Sequence, residues 1–102
     1  MSVVPILAAL GDETRLRLVR KLCKGGPLSI ARLADGAGIS RQAVTKHLHA
    51  LHGAGLVRSE RQGRERIWRL ERKRLDEVRR YLAQISAQWD SALNRLRAAV
   101  ED

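Results

Sequence analysis

Between Glu71 and Asp102 the sequence has neither glycine nor proline, and its apolar residues fall at Leu75, Val78, Leu82, Ile85, Trp89, Ala92, Leu96 and Ala99. The steps alternate between three and four throughout, the a/d spacing of a helix that buries one narrow seam against another helix. The last third of the chain is therefore predicted to be a single long helix. The only other short apolar helix, carrying Ile6, Leu7 and Leu10, is too brief to cover that seam, and an uncovered stripe of this size is poorly tolerated in water. The spacing thus predicts a second copy of the chain, with Ile6, Leu7, Leu10, Leu82, Ile85, Trp89 and Leu96 at the interface. The alternative for Trp89 is an aromatic lid over an effector pocket, but its heptad register favours the seam.

Upstream, glycine, proline and capping residues divide the chain into short pieces. A first helix over Val4–Leu10 stops at Gly11, and Asp12 is placed to accept from the free N–H groups of the next helix. That helix runs to Lys24 with Leu16, Val19 and Cys23 on one side, flanked by Leu18 and Leu22, until Gly25-Gly26-Pro27 ends it. Ser29 caps a helix over about Ile30 to Asp35, with Leu33 and Ala34 turned inward. After the turn Gly36-Ala37-Gly38-Ile39, Ser40 caps another over Arg41 to Ala54. Two helices joined by a short glycine-bearing turn, here residues 29–54, make a helix-turn-helix.

Past Gly55 the pattern becomes strand-like. Leu56–Glu60 and Arg64–Leu70, with Gln62-Gly63 as the turn, predict a β-hairpin over 56–70 whose Val57, Trp68 and Leu70 pack inward. A hairpin directly after a helix-turn-helix is a wing. The fold class is mainly α with a small β-hairpin: a winged helix-turn-helix with a long C-terminal dimerisation helix. At 102 residues the chain is expected to form one domain over 1–102, with 1–11 and 71–102 as the pairing helices.

Charge is both large and uneven. The 20 Lys and Arg outnumber 11 Asp and Glu for a net charge of +9, and Arg41 to Arg80 holds twelve basic against five acidic residues, +7 of that total. Such a surplus on one region points to a polyanionic partner. On the helix from Arg41 to Ala54, setting Val44 at zero and turning about 100° per residue puts Leu48, Leu51 and His47 on the inner side or its edge. Gln42, Thr45, Lys46 and His49 turn outward, Arg41 reaches from the first turn, and the helix carries no Asp or Glu. An amide, a hydroxyl, an ammonium and an imidazole on one face are groups that donate to or accept from base edges and phosphates in a major groove. In the wing, Arg61, Arg64 and Arg66 are the expected contacts to a minor groove, where arginine meets enhanced negative potential. The alternative for these arginines is a charged strand edge that prevents aggregation. The partner predicted is double-stranded DNA; a winged-helix RNA-binding or protein-interaction module is the rival reading.

The order of these features resembles a known family. Leu7-Ala8-Ala9-Leu10-Gly11-Asp12-Glu13-Thr14-Arg15-Leu16-Arg17-Leu18 is similar to the opening of ArsR/SmtB-type repressors. So are Ile39-Ser40-Arg41-Gln42-Ala43-Val44-Thr45-Lys46-His47-Leu48, then Leu51, Ala54-Gly55-Leu56-Val57, and Gly63-Arg64 followed by Trp68 and Leu70. The resemblance implies a homodimer of winged helices, paired through first and last helices, that represses transcription from an inverted-repeat operator. It carries base and phosphate contact to Arg41, Gln42, Thr45 and Lys46; His49 rests on the helical wheel alone. No extra domain for recruiting polymerase is expected, the one physical ground for repression rather than activation beside the resemblance.

The resemblance fails at the metal sites of that family. Leu28-Ser29-Ile30-Ala31-Arg32-Leu33-Ala34 has no thiol where a cysteine-rich motif would stand, and no histidine follows His52. His47, His49 and His52 lack a cysteine or carboxylate to complete a zinc site. No metal or cofactor is therefore expected, which sets the chain with the non-metal-sensing branch, and no effector is named by the sequence. Cys23, the only cysteine, is expected to be a small buried hydrophobe. No catalytic constellation or phosphate-binding glycine loop is present, so no enzyme is predicted. The longest apolar run, Val3 to Leu10, is too short to cross a bilayer and lacks a basic leader, so the expected location is the cytoplasm and no membrane partner is expected.

Overall fold

Local capping chemistry sets three helix starts. In the computed structural model, which describes residues 2–101, the Asp12 carboxylate accepts from the Arg15 N–H at 3.0 Å, the Ser29 hydroxyl from Arg32 at 3.3 Å and the Ser40 hydroxyl from Ala43 at 3.1 Å. The elements are α1 (Val4–Leu10), α2 (Glu13–Gly25), β1 (Leu28–Ser29), α3 (Ile30–Ala34), α4 (Arg41–Gly53), β2 (Val57–Gln62), β3 (Glu65–Leu70) and α5 (Arg72–Glu101). The expected end of the last helix at Asp102, like Met1, lies outside the described residues.

The Asp12 carboxyl is held below its ordinary value of 3.8, chiefly by the hydrogen bond from the Arg15 backbone N–H. A carboxyl lowered on folding stabilises the native state at pH values above its unfolded pKa, and that contribution is lost as pH falls through the lowered one. For α4 the cap is a neutral hydroxyl. Replacing it, Ser40→Ala, is expected to cost about 1 kcal/mol in a urea titration, with the loss independent of pH.

The helices close on a core formed by Leu18, Leu22, Leu33, Val44, Leu48 and Leu51, sealed from the sheet side by Leu56, Val57 and Trp68. On α2 the inward arc is Leu18, Leu22 and Val19, while Leu16 and Cys23 are exposed. This corrects the expected inner side. Both residues sit roughly 100° from the middle of the arc that α1 and α4 cover. Cys23 is accordingly a surface thiol and not a buried hydrophobe.

Two long side chains fix how the helices meet. Arg15 donates from Nε to the Ala9 carbonyl at 2.6 Å, tying α2 to the end of α1. Lys21 donates from Nζ to the carbonyls of Leu33 and Asp35, at 3.1 and 2.6 Å, and so supplies donors to the unpaired C-terminal carbonyls of α3. The turn into α4 is thereby held against α2.

The sheet has three antiparallel strands in the order β1-β3-β2, one more than the hairpin expected. Leu28 pairs with Trp68 and Ser29 with Ile67 along the outer edge of β3. The turn also lies one residue later than expected: Gln62 pairs with Glu65, leaving Gly63 and Arg64 as the loop. Gly63 has φ 62° and among the described residues no non-glycine has positive φ, which is the II′ pattern suited to the twist of a two-residue hairpin.

Helix α5 starts one residue after β3. It buries Val78 and half-buries Leu75 against the body, then continues exposed through its later turns apart from the half-buried Ala92 and Leu93. At 30 residues it is about 45 Å long, and it accounts for a molecule measuring 68 by 27 by 21 Å.

Candidate nucleic-acid interface

On α4, Val44, Leu48 and Leu51 are fully buried, which fixes the helix's rotation and turns the opposite face out. Arg41, Gln42 and Lys46 are exposed on that face, and among the described residues the side chains of Gln42 and Lys46 make no hydrogen bond within the chain. Thr45 is half-buried, and its hydroxyl donates to the Arg41 carbonyl at 2.8 Å, so only its acceptor capacity faces outward. His47, at the helix edge, lies with Nδ1 4.0 Å from the Asp12 carboxylate, linking α4 to the cap of α2.

His49 is exposed, as the wheel places it, and its ring also makes a T-shaped contact with Trp68, with centroids 5.9 Å apart and planes at 88°. That contact, an arrangement aromatic quadrupoles favour, joins α4 to the root of the wing. Trp68 is 2% exposed.

The wing concentrates like charge on its two paired strands. Its register sets Arg61 opposite Arg66 and Arg58 opposite Arg69. Like charges directly opposed destabilise a ladder, so each pair needs an anion. Arg58 obtains one in Glu71 at 2.5 Å. At the tip, Arg66 donates from Nη1 to the Ser59 hydroxyl at 2.8 Å and Arg61 from Nε to the Gly63 carbonyl at 3.4 Å, both uncharged acceptors. Arg64 occupies the loop itself and is exposed.

Helix and wing converge. Arg41, Gln42 and Thr45 face Arg64, Glu65 and Arg66 across an open cleft of about 460 Å³, floored by Ser29, Ile30 and Ala31. Five of the eight predicted contact residues, Arg41, Gln42, Thr45, Arg64 and Arg66, thus line one cleft, while Lys46, Arg61 and His49 are exposed outside its lining. The floor from α3 and the acidic Glu65 in the cleft wall were not anticipated. Ile30 and Ala31 are apolar, and nothing in a linear reading signals that β1 draws them under the wing.

Of the predicted pairing residues, Leu82, Ile85, Trp89 and Leu96 are 49%, 44%, 63% and 59% exposed, and Leu7 is exposed beside the half-buried Leu10. Ile6 differs: at 1% exposed it is spent in the chain's own core and has no surface left to offer. The described residues hold no group of three or more His, Cys, Asp or Glu able to bind a metal ion, and no helix among them is long and apolar enough to cross a membrane.

Residues 10–60 match the helix-turn-helix domain family. The uncharacterised HTH-type transcriptional regulator YuzN of Bacillus subtilis is 38% identical over 68 residues, covering 61% of this chain and 74% of the relative. Among solved structures, an ArsR-like transcriptional regulator from Rhodococcus sp. RHA1 superposes with a TM-score of 0.77 at 38% identity, over 92% of this chain and 88% of that one. A homodimeric winged helix-turn-helix DNA-binding domain from Mycobacterium bovis, a possible ArsR-family regulator, superposes with a TM-score of 0.65 at 25% identity, over 89% of this chain and 81% of that one. With four helices, the last entered through a capped turn, and then a wing, the chain belongs to the ArsR/SmtB-type family of winged helix-turn-helix, DNA-binding transcriptional regulators.

Proposed function

We propose that the chain is a homodimeric repressor that sits on an inverted-repeat operator, with α4 in the major groove and residues 61–66 of the wing at the adjacent minor groove. The observation that carries this reading is the cleft where the acid-free face of α4 meets Arg64 and Arg66 of the hairpin. In this arrangement Arg41, Gln42, Thr45 and Lys46 read or position the duplex, and Arg61, Arg64 and Arg66 hold phosphates or enter the narrow groove. Pairing through Leu7, Leu10, Leu82, Ile85, Trp89 and Leu96 covers the apolar seam of α5 and doubles the reading face. The homodimeric relative from Mycobacterium bovis supports the same assembly. Repression follows if the dimer, seated across the duplex, occludes polymerase.

Selection from a random duplex library tests this. The enriched site is expected to be an inverted repeat with half-site centres about 10 bp apart, one helical turn on one face of the duplex. Asymmetric sites, or duplex RNA competing as well as duplex DNA, would overturn the reading.

Within that site the two halves of the face have separable effects. Gln42→Ala or Lys46→Ala, where the side chain contacts a base edge, is expected to cost about 1–3 kcal/mol and to relax preference at that position. Arg64→Ala is expected to weaken binding nearly equally across unrelated sequences. Affinities unchanged in all three variants would move the interface elsewhere.

A further inference from the structure

At the root of the wing, opposite its tip, a second cleft of about 560 Å³ opens where α2 and β3 end and α5 begins. Leu22, Leu70 and Leu75 give it apolar lining, and Arg69, Arg72 and Cys23 line it with them. The volume is that of a small-molecule site. It shares no residue with the DNA contacts proposed above, and of the α5 seam it uses only Leu75, which packs against the chain's own core.

The two arginines have no acid of their own. Arg69 stands opposite Arg58 in the strand register, and the carboxylate at this junction, Glu71, is taken by Arg58. Among the described residues neither Arg69 nor Arg72 forms an ion pair. A duplex phosphate is a poor occupant, because β3 carries this cleft about 17 Å from the Gly63–Arg64 loop and Leu22, Leu70 and Leu75 line it with hydrocarbon. A guanidinium pair beside buried apolar surface instead matches a ligand with one anionic head and an apolar body, since the planar fork binds carboxylate with two parallel hydrogen bonds.

We propose that this cleft binds a small amphipathic organic acid, its carboxylate on Arg69 and Arg72 and its hydrocarbon part on Leu22, Leu70 and Leu75. The site lies at the joint between wing and α5 and does not depend on the DNA-binding role.

Cys23 provides the reporter, being the chain's only cysteine, exposed, and part of the cleft wall. The rate of its alkylation by iodoacetamide in the full chain is measured while decanoate is titrated in. Saturable slowing is expected, with a midpoint about tenfold lower for decanoate than for the neutral isostere decanamide. The double variant Arg69→Gln, Arg72→Gln, whose side chains carry no part of the core, should keep its circular dichroism and raise that midpoint about tenfold or more. Backbone amide shifts on adding decanoate are expected at Leu22, Cys23, Leu70 and Leu75. No slowing, equal protection by decanamide, an unchanged midpoint in the double variant, or amide shifts confined to residues 82–100 would each overturn the proposal.

Discussion

Exchanging both Ile85 and Trp89 for glutamate is expected to leave the protein monomeric at micromolar concentration and to lower operator affinity by several orders of magnitude. The two side chains are 44% and 63% exposed in the single chain, so neither carries its core. In a pair of α5 helices each glutamate would sit on a desolvated seam, twice over by symmetry. An unpaired buried carboxylate costs several kcal/mol, and four of them exceed what a seam of this length returns. Because each protomer supplies one reading helix, losing the pairing also loses the tethering of the second half-site to the first. Sedimentation velocity and operator titration should therefore shift together, while the helical signal of the body, built on Leu18, Leu33, Val44 and Leu48, persists. A wild-type chain that sediments as a folded monomer and still holds one half-site tightly would refute the dimer and the inverted repeat at once.

Raising salt from 50 to 200 mM is expected to weaken operator binding by roughly 10³-fold or more. If Arg41, Lys46, Arg61, Arg64 and Arg66 between them neutralise three or four phosphates per protomer, a dimer releases six to eight condensed counterions. The slope of log affinity against log salt is then about −5 to −7. The wing sharpens this expectation, because Arg61 and Arg66 face one another across the hairpin without an acid between them. Arg64→Ala should reduce the slope by about one per protomer, whereas Gln42→Ala should leave it unchanged. A shallow slope in the wild type would remove the basic face from the interface.

The parts of this fold that were legible in the sequence are those decided within a few residues. Asp12, Ser29 and Ser40 each cap a helix through a bond to a backbone N–H three positions on, so their meaning survives without tertiary knowledge. The outward turn of Gln42 and Lys46 followed from the same locality, since Val44, Leu48 and Leu51 leave α4 one rotation. What escaped was non-local. The two-residue strand Leu28–Ser29 exists only because β3 offers it an open edge. His49 lies on the outer arc of the wheel, but the hairpin folds back and presents Trp68 to it. Leu16 and Cys23 look inward by spacing, and only the positions of α1 and α4 decide which arc of α2 is covered. Ile6 shows the same limit: its hydrophobicity fitted either a core or an interface, and the body claimed it.

Only Glu71 separates β3 from α5, and it is pinned on both sides: its N–H donates to the Leu56 carbonyl at 2.8 Å and its carboxylate holds Arg58. On the other flank Gly55, at φ 78°, leaves room for Arg74, whose Nε would lie 2.8 Å from any added Cβ. The joint has no slack. In a dimer joined along α5, the two wings and reading helices would then behave as the jaws of a caliper with a locked screw. One base pair inserted between half-sites rotates the second by about 34° around the duplex axis, given about 10.5 bp per turn. Hinged regulators absorb such an insertion by swivelling. Here the misalignment would have to be taken up by twisting the DNA, so spacing should be policed as strictly as sequence.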